Sequence, residues 1–99
     1  MRYSIKRTTP KVGVGWYTPQ HWQLLKASAA DKLDDTYDEW LANVSNTMNH
    51  LRTSGVDAVF VEVDIFELNR WLTANGLSNE GSSRARYVVE QLRDKEGRH

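Results

Sequence analysis

Residues 58–63, Ala-Val-Phe-Val-Glu-Val, constrain the fold more than any other stretch, because they are rich in β-branched side chains and apolar on both faces apart from Glu62. Alternation along a strand puts Val59, Val61 and Val63 on one side and Ala58, Phe60 and Glu62 on the other, so the valine face is the one to bury. Such a strand needs a neighbour for its backbone and a layer over its apolar face. The one other strand candidate is the run Val-Gly-Val-Gly-Trp-Tyr at 12–17, whose two glycines weaken a strand or let another element approach closely.

Helix signals fill most of the remaining chain. Thr18-Pro19 reads as an N-cap followed by proline at the first helical position, and Tyr17 and Trp22 have the spacing of a hydrophobic staple. This predicts a helix over 19–29 with Trp22, Leu25 and Ala29 inward. Thr36 and Glu39 form a capping box, and Tyr37, Trp40, Leu41, Val44, Met48 and Leu51 recur on one helical face, predicting a helix over 35–53 that stops at Gly55. Asp64 and Glu67 form a second box, starting a helix that aligns Ile65, Leu68 and Leu72 and ends at Asn75-Gly76. A last helix begins between Ser78 and Ser83 and turns Ala85, Val88, Val89 and Leu92 inward before a charged tail from Arg93.

The expected fold class is therefore α+β and mostly helical, with four helices packed on a small two-stranded sheet in β-α-α-β-α-α order. A flexible basic arm over 1–11 precedes a single globular domain over 12–95, and residues 96–99 form a tail. The caps Thr18 and Asp64 lie 46 residues apart, as do Trp22 and Leu68, a spacing that an internal duplication or chance among common helix starts would each produce. A lone strand pair leaves both edges open, so the arm covers an edge or two chains pair.

Charge excludes some functions. The chain has 13 basic and 13 acidic side chains among its 99 residues, so no global field draws it to polyanions. The neutrality hides a segregation, with blocks of +5 over 1–26, −7 over 31–67 and +2 from Arg70 onward. The absence of cysteine removes disulfides, thiolate zinc sites and thiol nucleophiles, and with no apolar run of membrane-spanning length and no signal-like N-terminus it points to the cytosol.

Catalytic patterns are not apparent. Asp34, Asp35, Asp38 and Glu39 lie at helical spacings, but capping and dipole compensation account for them, and His21 and His50 lack the i, i+4 partner that a helical metal site needs. Gly13-Val14-Gly15 lacks the third glycine of a dinucleotide site. We therefore expect no cofactor and no metal, and an enzymatic reading stands only if the fold gathers His21 or His50 with the acidic cluster in one pocket.

Two interaction readings remain. Trp16, Phe60 and Tyr87 are the candidate protein contacts, since aromatic side chains carry much of the energy at interfaces, and Phe60 in particular favours a homodimer. The candidate nucleic-acid contacts are Arg2, Lys6, Arg7 and Lys11 of the arm together with Arg70, Arg84 and Arg86. Arg84 and Arg86 nevertheless project about 200° apart around a helix. The first reading is a small adaptor without catalysis in a bacterial cytosol, with a protein partner or a second copy and no membrane; the alternative is a nucleic-acid-associated accessory protein. The pattern at Trp16-Tyr17-Thr18, Trp22, Asp35-Thr36-Tyr37-Asp38-Glu39-Trp40-Leu41, Val63-Asp64, Leu68, Trp71 and Ser83-Arg84-Ala85-Arg86-Tyr87 resembles short bacterial cytosolic proteins of uncharacterised function. That resemblance implies a bacterial origin and carries no activity.

Overall fold

The computed structural model describes residues 11–97, with side chains described as far as Lys95. The elements are β1 (Lys11–Trp16), α1 (Pro19–Ser28), α2 (Tyr37–Thr53), β2 (Asp57–Glu62), α3 (Ile65–Asn75) and α4 (Gly81–Gly97). The fold is α+β in the expected order, and the two strands are parallel, paired from Lys11 opposite Asp57 to Trp16 opposite Glu62. A parallel pair requires a long crossover, which α1 and α2 supply. The register pairs residues 46 apart, the same interval that separates the caps Thr18 and Asp64.

The caps act as their residue types dictate. Thr18 Oγ1 accepts from the His21 N–H at 3.3 Å, Thr36 Oγ1 accepts from the Glu39 N–H at 3.1 Å, and Asp64 Oδ1 accepts from the N–H groups of Phe66 and Glu67 at 2.8 and 3.2 Å. The return arm of the Thr36–Glu39 box is displaced by one residue, since the Glu39 carboxylate accepts from the Asp35 N–H. Gly55 and Gly76 both have positive φ, the left-handed stops that end α2 and α3.

The layers follow from the two faces of the strand pair. A Cβ on Gly13 would lie 2.9 Å from Val88 Cγ1 and 3.4 Å from Leu92 Cδ2, so α4 presses on β1 where the glycines leave room. Trp16, on the opposite face, meets Trp40 of α2 at 5.7 Å between ring centroids. Trp22, Leu25, Val61, Val63, Ile65 and Leu68 form the centre of the core on the α4 side, while Val44, Met48 and Ala58 are buried outside that cluster.

Two expectations about α4 are corrected. Ala85 and Val89 are exposed, and the inward stripe is Ser83, Tyr87 and Val88 with Leu92 partly buried. The cause is tertiary: Arg84 is drawn inward to Asp31, and a helix that directs positions 84, 87 and 88 inward turns 85 and 89 away. The helix also continues past Arg93 to Gly97, where a charged tail was expected. Lys11 belongs to β1; the remainder of the basic arm, 1–10, and residues 98–99 lie outside the described residues.

Candidate functional site

On the sheet face away from α4, register places Val12, Val14 and Trp16 beside Ala58, Phe60 and Glu62. Trp16 and Phe60 meet edge to face with centroids 4.8 Å apart, the arrangement that ring quadrupoles favour. Trp40 backs Trp16 and is itself held by Tyr17 and Tyr37 at 5.7 and 5.3 Å. Tyr37 is anchored in turn, because its hydroxyl donates to the Tyr17 carbonyl at 2.9 Å. Four aromatic rings thus support a fifth, Phe60, which remains 42% exposed, with Val12 at 37% on the same face.

The outer edge of β2 is partly closed. Val63 donates its N–H to Trp16 O at 2.9 Å, whereas Ala58 directs its N–H to Val56 O and accepts from Arg52 Nε and Nη2 at 3.2 and 3.0 Å. Odd-numbered residues of β2 therefore bond toward β1 and even-numbered ones face outward. Arg52 caps the first outward carbonyl, a way of blunting an edge against unwanted pairing.

Tyr87 is a correction to the expected contact set. It is 4% exposed and packs edge to face against Trp71 at 5.3 Å, and burial raises its phenol above the usual tyrosine range. The i, i+4 relation of Tyr87 to Ser83 puts both on the inward stripe of α4, which the expected stripe missed by one position.

The basic candidates separate. Arg84 forms a two-pronged contact with Asp31, Nη1 to Oδ1 at 3.0 Å and Nη2 to Oδ2 at 2.7 Å, and also donates from Nη1 to Asn79 Oδ1 at 2.9 Å. Its side chain is 12% exposed. Asp31 Oδ2 also accepts the Gly81 N–H at 3.0 Å, so one carboxylate from the α1–α2 loop caps α4; the hydrogen bond from Arg84 holds that carboxyl below its usual range. Arg70 lies 3.5 Å from Glu67 and Arg86 lies 3.9 Å from Glu90, with Arg86 also over the Trp71 ring. Lys11 opens β1, and Arg2, Lys6 and Arg7 lie outside the described residues. Arg84, turned toward the core, is thus separated from Arg86, which lies outward.

Of the histidines, His21 is half-buried and its Nδ1 accepts the Ile65 N–H, while His50 is exposed near the end of α2. Lys32, Leu33, Asp34, Asp35 and Glu39 line an open hollow of about 350 Å³. Among the described residues no three His, Asp or Glu side chains converge as metal ligands, and no helix is long and apolar enough to cross a membrane.

No family model, curated protein or solved structure matches the chain. What the fold and site define is an α+β architecture of two successive β-α-α units whose strands pair in parallel.

Proposed function

We propose that the chain is a small non-catalytic protein-interaction module of a bacterial cytosol, that it contacts its partner through the sheet face bearing Phe60 and Trp16, and that the first such partner is a second copy of itself. The observation that carries this reading is the 42% exposure of Phe60 on a rigid aromatic support. An interface anchor is most effective when its rotamer is already fixed, because little side-chain entropy is then lost on binding. Two-fold pairing lets one patch serve both partners, and closed dimers are the commonest assembly.

Sedimentation over a wide concentration range tests the proposal, with dimer expected and Phe60→Lys shifting the population to monomer while helix content is kept. A monomer persisting at ~100 μM would sink it, since a weaker Kd corresponds to less than ~5.5 kcal/mol of association. The nucleic-acid alternative has less support, because Arg84 is committed to Asp31 and Arg70 and Arg86 each have an acidic neighbour. Binding of DNA that falls steeply with salt would restore it.

A further inference from the structure

The outer edge of β2 carries free backbone groups in a self-complementary pattern. Parallel pairing with β1 engages the odd-numbered residues, so the N–H and C=O groups of Ala58, Phe60 and Glu62 face away from the sheet. At Ala58 both are taken, the N–H by Val56 O and the carbonyl by Arg52. At Phe60 and Glu62 they have no hydrogen-bond partner among the described residues. Unpaired edge groups of this kind are a template for another strand. The edge of β1 is the poorer template, because Gly13 and Gly15 present no side chains for cross-strand contact.

Two copies of β2 can meet antiparallel in only a few registers, and the occupied groups select among them. An axis through Val59 or Phe60 would call on Ala58, whose carbonyl Arg52 holds. An axis through Glu62 would call on Asp64, whose carbonyl already accepts from the Leu68 N–H of α3. An axis through Val61 sets Phe60 opposite the partner's Glu62, and Glu62 opposite the partner's Phe60, so each facing pair exchanges both of its free bonds.

Side chains and charge agree with this register. The half-buried Val59 lies across from the partner's Val63, and Phe60 lies diagonal to the partner's Phe60 at about 7–8 Å, within reach of an aromatic ring. Trp16 and Phe60 already meet diagonally across β1 and β2, so the row of rings continues from one copy into the next. Arg52, at the Ala58 end, comes beside the partner's Asp64, and opposite charges at both ends of the pairing fix its register.

We propose that two copies of the chain join through this edge, antiparallel about Val61, to make one four-stranded sheet. The inference rests on the reading of the Phe60 face as a self-association surface and names the backbone groups that unite the copies.

NMR of the full chain, as an equal mixture of ¹³C-labelled and unlabelled molecules, tests it. The expected result is an intermolecular NOE between the Hα protons of the two Val61 residues, since a facing non-hydrogen-bonded pair brings its Cα atoms to about 4.5 Å. The Phe60 and Glu62 amides should become protected from exchange as concentration rises through Kd. Glu62→Pro removes an outward N–H that the monomer does not use, a change edge strands tolerate, and should weaken the dimer at least ~tenfold, or ~1.4 kcal/mol. The NOE and the exchange rates of the unaltered chain decide the matter if that variant does not fold. A dimer without the Val61 contact, with Phe60 and Glu62 amides indifferent to concentration, or unweakened in folded Glu62→Pro, would overturn edge pairing and leave the face contact standing. A chain still monomeric at ~100 μM, a limit of ~5.5 kcal/mol, would overturn both.

Discussion

His21 Nδ1 accepts the backbone N–H of Ile65 at 2.9 Å, so a side chain in the first turn of α1 caps the first residue of α3, 44 positions away. Phe66 closes over the same imidazole, edge to face at 5.9 Å. The two helices that follow the paired strands are thereby fastened at their N-termini, where Asp64 already serves the next two N–H groups of α3. His21→Ala should cost about 1–2 kcal/mol, the loss expected for a capping acceptor to a part-buried N–H. Urea denaturation measures the loss, and hydrogen exchange should show the Ile65 amide accelerating more than that of Leu68. An unaltered Ile65 amide would remove His21 from the role of cap.

Asp31 and Arg84 connect stability to pH. The folded pKa of Asp31 is below its ordinary value, so its contribution is fully present above the unfolded pKa near 3.8 and is lost as pH falls through the lower folded value. Asp31→Asn should therefore lower stability at pH 7 and flatten the acid limb of the stability curve below pH ~4. Arg84→Lys should retain only part of the effect, because an ammonium cannot reproduce the fork. Thermal melts between pH 2.5 and 7 provide the comparison.

The glycines of β1 should respond in opposite ways. At Gly13 a methyl would meet Val88 Cγ1 at 2.9 Å and Val61 Cγ2 at 3.1 Å, so Gly13→Ala should destabilise by about 1–3 kcal/mol. Gly15→Ala meets ordinary contact distances and gains from a stiffer unfolded chain, giving a change between zero and about 1 kcal/mol of stabilisation. Denaturant melts of both variants, and of Gly13→Ala with Val88→Ala to relieve the contact, test whether the approach of α4 sets the requirement.

Trp22 and Trp40 should not be equivalent. Trp22 is fully buried between α1 and the core, and its Nε1 has no partner among the described residues. Trp22→Ala should cost about 3–5 kcal/mol by removing a large core side chain, whereas the half-buried Trp40 should cost about 2 kcal/mol less. Trp22→Phe should be milder than its lost volume suggests, since it also removes the unsatisfied donor. Equal losses for the two alanine variants would contradict the burial difference.

Local chemistry alone determined the element types, their order and most of their ends. Thr18-Pro19, Thr36 with Glu39, Asp64 with Glu67 and the stops at Gly55 and Gly76 each act over a few residues, so their outcome depends little on the remainder of the chain. The exposure of Phe60 is partly of this kind, because alternation already set it apart from the valine face. Distant contacts decided the rest. Parallel pairing depends on where the crossover helices pack, and the rotation of α4 depends on Asp31, fifty positions before Gly81, so Tyr87 and Arg84 turned inward although their neighbours in sequence gave no sign of it. His21 as a cap likewise arises only when the parallel strands bring the two β-α-α units side by side, since a hydrogen bond requires approach within a few ångströms and tertiary packing alone supplies it.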